Sequence, residues 1–441
     1  MIKINTPICE FLEEYANRDM LRMHMPGHKG KYTESIIDDI LKYDITEIKN
    51  ADSLFEADGI IMESEKNAAK LFGTYQSLFS AEGSTLAIQT MLGLMKSEKR
   101  RIIAARNAHR AFLNACALLD LEVSWIYPQY NSGILSGRIN ISDIESELKK
   151  SDRKSCVYIT SPDYLGNMAD IKSISALCRK YDAVLLVDNA HGACLGFLEN
   201  PCHPIQLGAD MCCDSAHKML PALTGTAYLH IANPAYIKKA RQMMSVFAST
   251  SPSYIMLASL DYCNRYISEN IRNDIRKAAD SVRKLKNELS FRYSFSDGEP
   301  FHIAITGING NDMAEKLRKY DIECEYSDFC CIVLLASPVN SDDDFKRLKN
   351  ALYEIQPIKS VSDEKIIFPE LEQEISLNQA LFADSEEISI EDAEGRICAM
   401  VNVPCPPAIP IAVCGERITH ECIEIYRRYN IKTVNTVVVY Q

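Results

Sequence analysis

The chain has 441 residues, of which 47% are hydrophobic and 24% charged, the usage of an ordinary globular protein with enough apolar material for a large core. That length excludes a small binding module, and the composition excludes extensive disorder. A formal charge of -12, from 48 Lys+Arg against 60 Asp+Glu, repels polyanions and anionic membrane surfaces at long range, so neither nucleic acid nor membrane is an expected partner. The 16 cysteines are scattered from Cys9 to Cys422 without paired C-x-x-C spacing, which points to small core residues in a reduced, cytoplasmic protein and to no metal site. The start of the chain lacks an apolar signal core, and the late run Ala399 to Val413 is broken by prolines, so no membrane span is expected.

In chain order, residues 1–58 read as an extended arm with short helices, containing MPGHKG and DITEIKNADSLFE. From Ile60 a helical period sets Ile61, Ala68, Ala69 and Phe72 on one face, with Gly73 placed to end the helix. Residues 59–290 then alternate short apolar runs (RIIAA, CVYIT, AVLLVD, DMCCD, TAYLHI) with amphipathic stretches (GSTLAIQTMLGLMKSE, IKSISALCRKYD). Strand, helix, strand alternation predicts an α/β domain with a mostly parallel sheet covered by helices on both faces, which binds ligands outside the carboxyl ends of its strands. Residues 291–360 read as a small α+β unit. An acidic, poorly periodic stretch from Val361 to Glu387 leads into a last segment, 361–441, that ends in the strand-like TVNTVVVY.

Neither a G-x-G-x-x-G nor a G-x-x-x-x-G-K-[ST] cradle occurs, which removes most support from dehydrogenase and kinase functions. Gly83-Ser84-Thr85 opens a helix and offers backbone and hydroxyl donors at its positive end, which suits a phosphate, although serine and threonine are also ordinary helix caps. Asp188 ends an apolar strand, where a carboxylate either caps a turn or meets a cation such as a protonated heteroaromatic nitrogen. Lys218, following Ser215 and His217, is a surface charge or, if held in a cleft, a nucleophile that forms Schiff bases. His109 is a structural histidine or a ring that stacks on a planar cofactor. Together the four groups describe a site for pyridoxal 5′-phosphate.

The motifs HMPGHKG (His24 to Gly30), DITE (Asp44 to Glu47), EGST (Glu82 to Thr85), RNAH (Arg106 to His109), TSPDYLG (Thr160 to Gly166), VDNAHGA (Val187 to Ala193), DSAHK (Asp214 to Lys218), TSPSY (Thr250 to Tyr254) and PPAIPIAVCGERIT (Pro406 to Thr419) resemble the ornithine/lysine/arginine decarboxylases, fold-type I pyridoxal-phosphate enzymes. The chain is similar to the shorter members without an extra N-terminal domain. The resemblance implies that Lys218 carries the cofactor, Asp188 pairs with its ring nitrogen, and His109 stacks on the ring. It also implies that Ser84, Thr85, Ser215 and His217 surround the phosphate beside Gly83, with Ala190 and His191 close to the ring. Lys218 or His217 would return a proton to the α-carbon after carbon dioxide leaves. The family's sites lie at a dimer interface, so a homodimer is implied, with His24, His28 and Ser249 to Ser251 facing the neighbouring subunit's cofactor. Three departures stand out: Asn189 where the family has glutamate, Ala111 where a hydroxyl is usual, and Cys405-Pro-Pro-Ala408 where the family has Tyr-Pro-Pro-Gly.

The expected substrate is a basic amino acid, whose distal cation needs a carboxylate from among Asp44, Glu47, Asp52 and Glu416, with Cys405 near the entrance. Two alternatives remain open on sequence. One is an aminotransferase or lyase of the same fold, the aminotransferases usually carrying a late arginine clamp for which Arg396 and Arg417 are the candidates, and the other is a catalytically idle cofactor-binding protein, which would fit the departures.

Overall fold

A computed structural model describes residues 4–18, 20–31, 37–130, 133–135, 137–150, 152–360, 368–400 and 408–438. Seven strands share one sheet: β1 (Gln76–Ser80), β2 (Arg101–Ala105), β3 (Val123–Ile126), β4 (Ser155–Thr160), β5 (Val184–Asp188), β6 (Met211–Asp214) and β7 (Ala227–Ile231), in the order β1-β7-β6-β5-β4-β2-β3. β2 is parallel to β3 and β4, and β7 is antiparallel to both β1 and β6, which makes β1 and β6 run the same way. The five expected strands are all present in this mostly parallel sheet. β1 and β3, which the apolar pattern did not reveal, are its two edges. β1 carries Ser77 and Ser80, both buried, whose hydroxyls are satisfied from outside the strand: Ser77 Oγ lies 2.8 Å from His230 Nδ1 and Ser80 donates to the Gly83 carbonyl at 2.8 Å.

The chain divides into two compact units, one of Met1–Leu94 with Asp188–Arg276 and one of Met95–Val187 with Lys277–Gln441. In the first, the helix Ile60–Phe72 ends on Gly73 at φ +70, the left-handed conformation that glycine adopts without a steric penalty. The opening stretch is less extended than expected. Pro7–Ala16 is a helix that buries Ile8, Leu12 and Tyr15, and its first amides, Ile8 N–H and Cys9 N–H, donate to Asp261 Oδ2 at 3.0 and 3.1 Å.

Asp261 also accepts from the Ser64 hydroxyl. Burial pushes its carboxyl from the usual 3.8 up to about 6, outweighing the Ser64, Cys9 and Ile8 donors. The folded chain therefore binds this proton more tightly than the unfolded chain does. The resulting stability is complete below about pH 4 and is lost as pH rises through 6, a swing of about 3 kcal/mol at most. Asp261→Asn is expected to flatten this dependence, so that scanning calorimetry between pH 4 and 7 finds the variant at least as stable as wild type at pH 7. A variant that melts well below wild type at pH 7 yet follows the same pH curve would refute the assignment.

In the second unit a four-stranded antiparallel sheet (Ser294–Phe295, His302–Thr306, Cys331–Leu335, Tyr326–Ser327) carries the helices Gly310–Arg318 and Asp342–Glu354, as expected for an α+β unit. The stretch read as an acidic separator is more structured than that. Residues 361–367 lie outside the described residues, but Leu377–Phe382 is helical and Ser385–Ser389 pairs antiparallel with the terminal strand Thr433–Val437. Of that strand only Ile388 is partly buried and the rest is exposed, as in a ribbon lying at the surface. Among the described cysteines no disulfide occurs, and all but Cys9, Cys202 and Cys324 are buried. No helix among the described residues is long and apolar enough to cross a membrane.

Candidate active site

The first unit brings Lys218, His191, Asp188, Ser84 and Ser215 together at the ends of three strands of the sheet. β6 ends at Asp214, and the short helix Ala216–Met219 that follows turns Lys218 so that its Nζ lies 2.9 Å from His191 Nε2. β5 ends at Asp188, 3% exposed, whose Oδ1 accepts the Ala190 N–H at 3.2 Å and faces Cys213 Sγ at 3.5 Å. β1 leads through Gly83, at φ +69, into the helix Gly83–Ser97, and the hydroxyls of Ser215 and Ser84 meet at 3.0 Å. A side chain at Gly83 would meet nothing within 4 Å, so space is open at this helix start. Thr85 is exposed one residue further on. His217 is oriented by its Nδ1, which donates to the Thr226 carbonyl at 2.9 Å and leaves Nε2 as the ring's basic nitrogen.

A group with an anionic phosphate, a basic ring nitrogen and a reactive carbonyl carbon finds its three counterparts here. Hydroxyls stand at a helix N-terminus, a carboxylate at a strand end, and an amine between them. The residues present fit pyridoxal phosphate.

Sequence reasoning missed the layer behind this site. Asp214, fully buried, accepts from Asn189 Nδ2 at 2.7 Å and from His203 Nε2 at 2.9 Å, with His230 Nε2 at 3.2 Å. Asn189 stood out only as a departure, and nothing in the sequence announced its partners.

In the second unit His109 caps the helix Arg110–Leu118, its Nδ1 accepting the Ala111 N–H at 3.1 Å. The histidine ring itself thus caps the helix, through the backbone N–H of Ala111. Arg106, of the same RNAH motif, is fully buried. Its guanidinium donates to the carbonyls of Pro410 and Ile411, each at 3.1 Å, and to Glu416 Oε2 at 2.8 Å, and it lies 5.3 Å from the rings of both Trp125 and Phe368. Ala408, in the place of the family's glycine, holds φ +55, a conformation in which its Cβ is strained. Cys405 lies outside the described residues.

The acidic residues considered for a substrate cation sort cleanly. Glu416 is withdrawn, because it is buried against Arg106. Asp52 is withdrawn as well: it accepts N–H bonds from Ser53, Asp58, Gly59, Ile61 and Met62 at 2.8 to 3.3 Å, which hold its carboxyl below the usual range although burial pulls the other way. Asp44 is paired with His28 Nε2 at 3.1 Å, and Glu47 is exposed. His24 Nε2 meets the Tyr15 hydroxyl at 2.7 Å, and Ser249 N–H donates to Glu82 at 2.7 Å. The arginines considered for an aminotransferase clamp are both engaged, Arg396 with Glu386 and Arg417 with Glu374.

Comparison with known proteins places the chain among relatives over nearly its whole length. Residues 6–363 match the family model described as Orn/Lys/Arg decarboxylase, major domain, and residues 364–433 match that family's C-terminal domain. An arginine decarboxylase of Bacillus subtilis is 29% identical, with 96% of this chain and 93% of the relative aligned, and one of Halalkalibacterium halodurans is 30% identical over the same shares. A lysine decarboxylase of Pseudomonas aeruginosa matches only 58% of this chain, at 22% identity. Among solved structures, the Francisella novicida lysine decarboxylase covers 99% of the chain with a TM-score of 0.81 at 18% identity, using 81% of its own length. A Sphingomonas wittichii serine palmitoyltransferase covers 69% at a TM-score of 0.57 and 15% identity, with 78% of that chain aligned. At those identities the structures speak for the shared fold.

Proposed function

The chain belongs to the Orn/Lys/Arg decarboxylase family, and from that premise we propose that it removes the α-carboxylate of arginine, releasing carbon dioxide and the guanidino-amine. It is a pyridoxal-phosphate-dependent amino-acid decarboxylase. Arginine is preferred over lysine on one observation: four Bacillus-type relatives named arginine decarboxylase align with almost the whole of both chains at 28–30% identity, whereas the lysine decarboxylases of Pseudomonas aeruginosa and Escherichia coli, like the biodegradative arginine decarboxylase of Escherichia coli, align with a part at 22%. Cytoplasmic location, a homodimeric state and a supply of polyamine precursors belong to the same proposal.

When bound, pyridoxal phosphate supplies an electron sink for the pair left behind as carbon dioxide departs. The chain's own residues do the rest. Lys218 offers the amine that anchors the cofactor, and the hydrogen bond to His191 Nε2 fixes that amine in place. Asp188 holds a proton on the ring nitrogen, since a carboxylate enclosed at a strand end stabilises a facing cation. Ser84, Ser215 and the helix N-terminus receive the phosphate. His217, with Nδ1–H committed to the Thr226 carbonyl, presents Nε2 for proton transfer and shares with Lys218 the candidacy for α-carbon donor. The ring-face role of His109 rests on the resemblance. Asp44 and Glu47 are the carboxylates left to meet the distal guanidinium.

A panel of amino acids assayed for amine and carbon dioxide with the cofactor-loaded protein tests the proposal. Arginine should be consumed fastest, and faster turnover of a neutral or acidic amino acid would overturn it. Asp188→Asn is expected to retain the cofactor while losing on the order of 10²-fold in kcat, because an amide does not keep the ring nitrogen protonated. Near-normal turnover would remove Asp188 from this role. An aminotransferase activity is disfavoured by the ion pairs that occupy Arg396 and Arg417.

A further inference from the structure

Among the described residues no lysine or arginine forms an ion pair with the buried Asp214 carboxylate, and its two oxygens are divided between two kinds of partner. Oδ1 accepts from Asn189 Nδ2 at 2.7 Å, while Oδ2 accepts from His203 Nε2 at 2.9 Å and stands 3.2 Å from His230 Nε2. The His203 Nδ1 accepts the Ile205 N–H at 3.4 Å, which puts the imidazole proton on Nε2. That atom therefore has no lone pair for a metal ion, and hydrogen bonding accounts for the cluster. His230 Nδ1 is 2.8 Å from Ser77 Oγ, and the Phe72 ring packs 4.2 Å from the His230 ring, closing the group off from water.

Asn189 is held twice. Besides the side-chain bond to Asp214, its N–H donates to the Cys213 carbonyl at 3.0 Å, and its Oδ1 packs so closely on Gly192 that a Cβ there would lie 2.0 Å away. The two bonds join the residue just past Asp188 to the last two residues before Ser215. They span the gap between the strand end that carries Asp188 and the segment that carries Lys218.

We propose that Asn189 and Asp214 act as a positioning clamp for the cofactor site, setting the spacing of Asp188 and Lys218 through one buried negative charge that His203 and His230 support. This rests on the roles given above to Asp188 and Lys218. The amide is the residue type the clamp requires. A carboxylate at position 189 would face Asp214 across the same 2.7 Å and replace an attraction with a repulsion in a site that water does not screen.

The test is an exchange cycle of Asn189→Asp, Asp214→Asn and the double variant, read by titrating the apo-proteins with pyridoxal phosphate, by the absorbance maximum of the loaded forms and by apo-protein melting. Each single variant is expected to bind the cofactor roughly tenfold or more weakly. The double variant, in which one amide again faces one carboxylate, is expected to recover to within about threefold of wild type and to regain its absorbance maximum. Additive losses in the double variant, or single variants that bind like wild type, overturn the clamp. If Asn189→Asp does not fold, the exchange must restore folded protein, and its failure to do so is equally decisive against the proposal. A wild type that binds no pyridoxal phosphate sinks the proposed function instead, while recovery of the melting temperature in the double variant still decides the clamp.

Discussion

Lys218→Ala is expected to abolish the yellow colour of the cofactor-loaded protein and to lower turnover by on the order of 10³-fold or more. The argument is positional. Lys218 stands directly after a buried strand with its amine bonded to His191, in the unit that also carries Asp188 and Ser84. Lys29, the lysine of the HKG motif, is already donating to the His24 carbonyl at 2.7 Å. Borohydride treatment of the wild type followed by peptide mapping checks the assignment. The pyridoxyl group should appear on the peptide containing Lys218, and its recovery on Lys29 or another lysine would show that the site lies elsewhere. Melting of the variant should change little, because the side chain is only half-buried.

The second large effect is structural. Glu416→Gln is expected to destabilise the protein by about 3–5 kcal/mol, since it removes the carboxylate that neutralises the buried Arg106 guanidinium and leaves it facing uncharged carbonyls, ring faces and the Tyr127 and Tyr130 side chains. The paired change Arg106→Met with Glu416→Leu should cost much less than the single one, because it removes both charges and their desolvation together. Denaturant titration of the three variants measures this. A single variant within about 1 kcal/mol of wild type would mean that the pair carries no net stabilisation.

Much of the fold was legible because the central strands are buried on both faces and therefore read as unbroken apolar runs, such as Val184 to Val187. β1 escaped notice because its buried serines look polar until their hydrogen-bond partners in other segments are known. Lys218, Asp188 and Ser84 were legible as single chemical groups at strand or helix ends. The substrate acids were misjudged for a different reason. Glu416 is 310 positions from Arg106, and no local pattern encodes a bond across such a distance, whereas the donors to Asp52 lie within ten residues of it and close a local turn that an acid in that stretch does not announce. Asn189 was visible as a departure, but its meaning depends on Asp214 and His203, whose convergence only the folded chain supplies.

The burial of sulfur gives the molecule an internal clock. A thiol reagent added to the native protein can reach Cys9, Cys202 and Cys324 among the described cysteines, and burial together with the neighbouring Asp261 pushes the Cys9 thiol up to about 12, so that it reacts slowly at neutral pH. Every further mass increment then records a transient exposure of one particular stretch of chain. Cys212 and Cys213 time the release of β6, Cys263 that of the helix Tyr254–Glu269, and Cys422 that of the helix His420–Arg428. Pulse alkylation with peptide-resolved mass spectrometry would thus order the disassembly of both units without any engineered label.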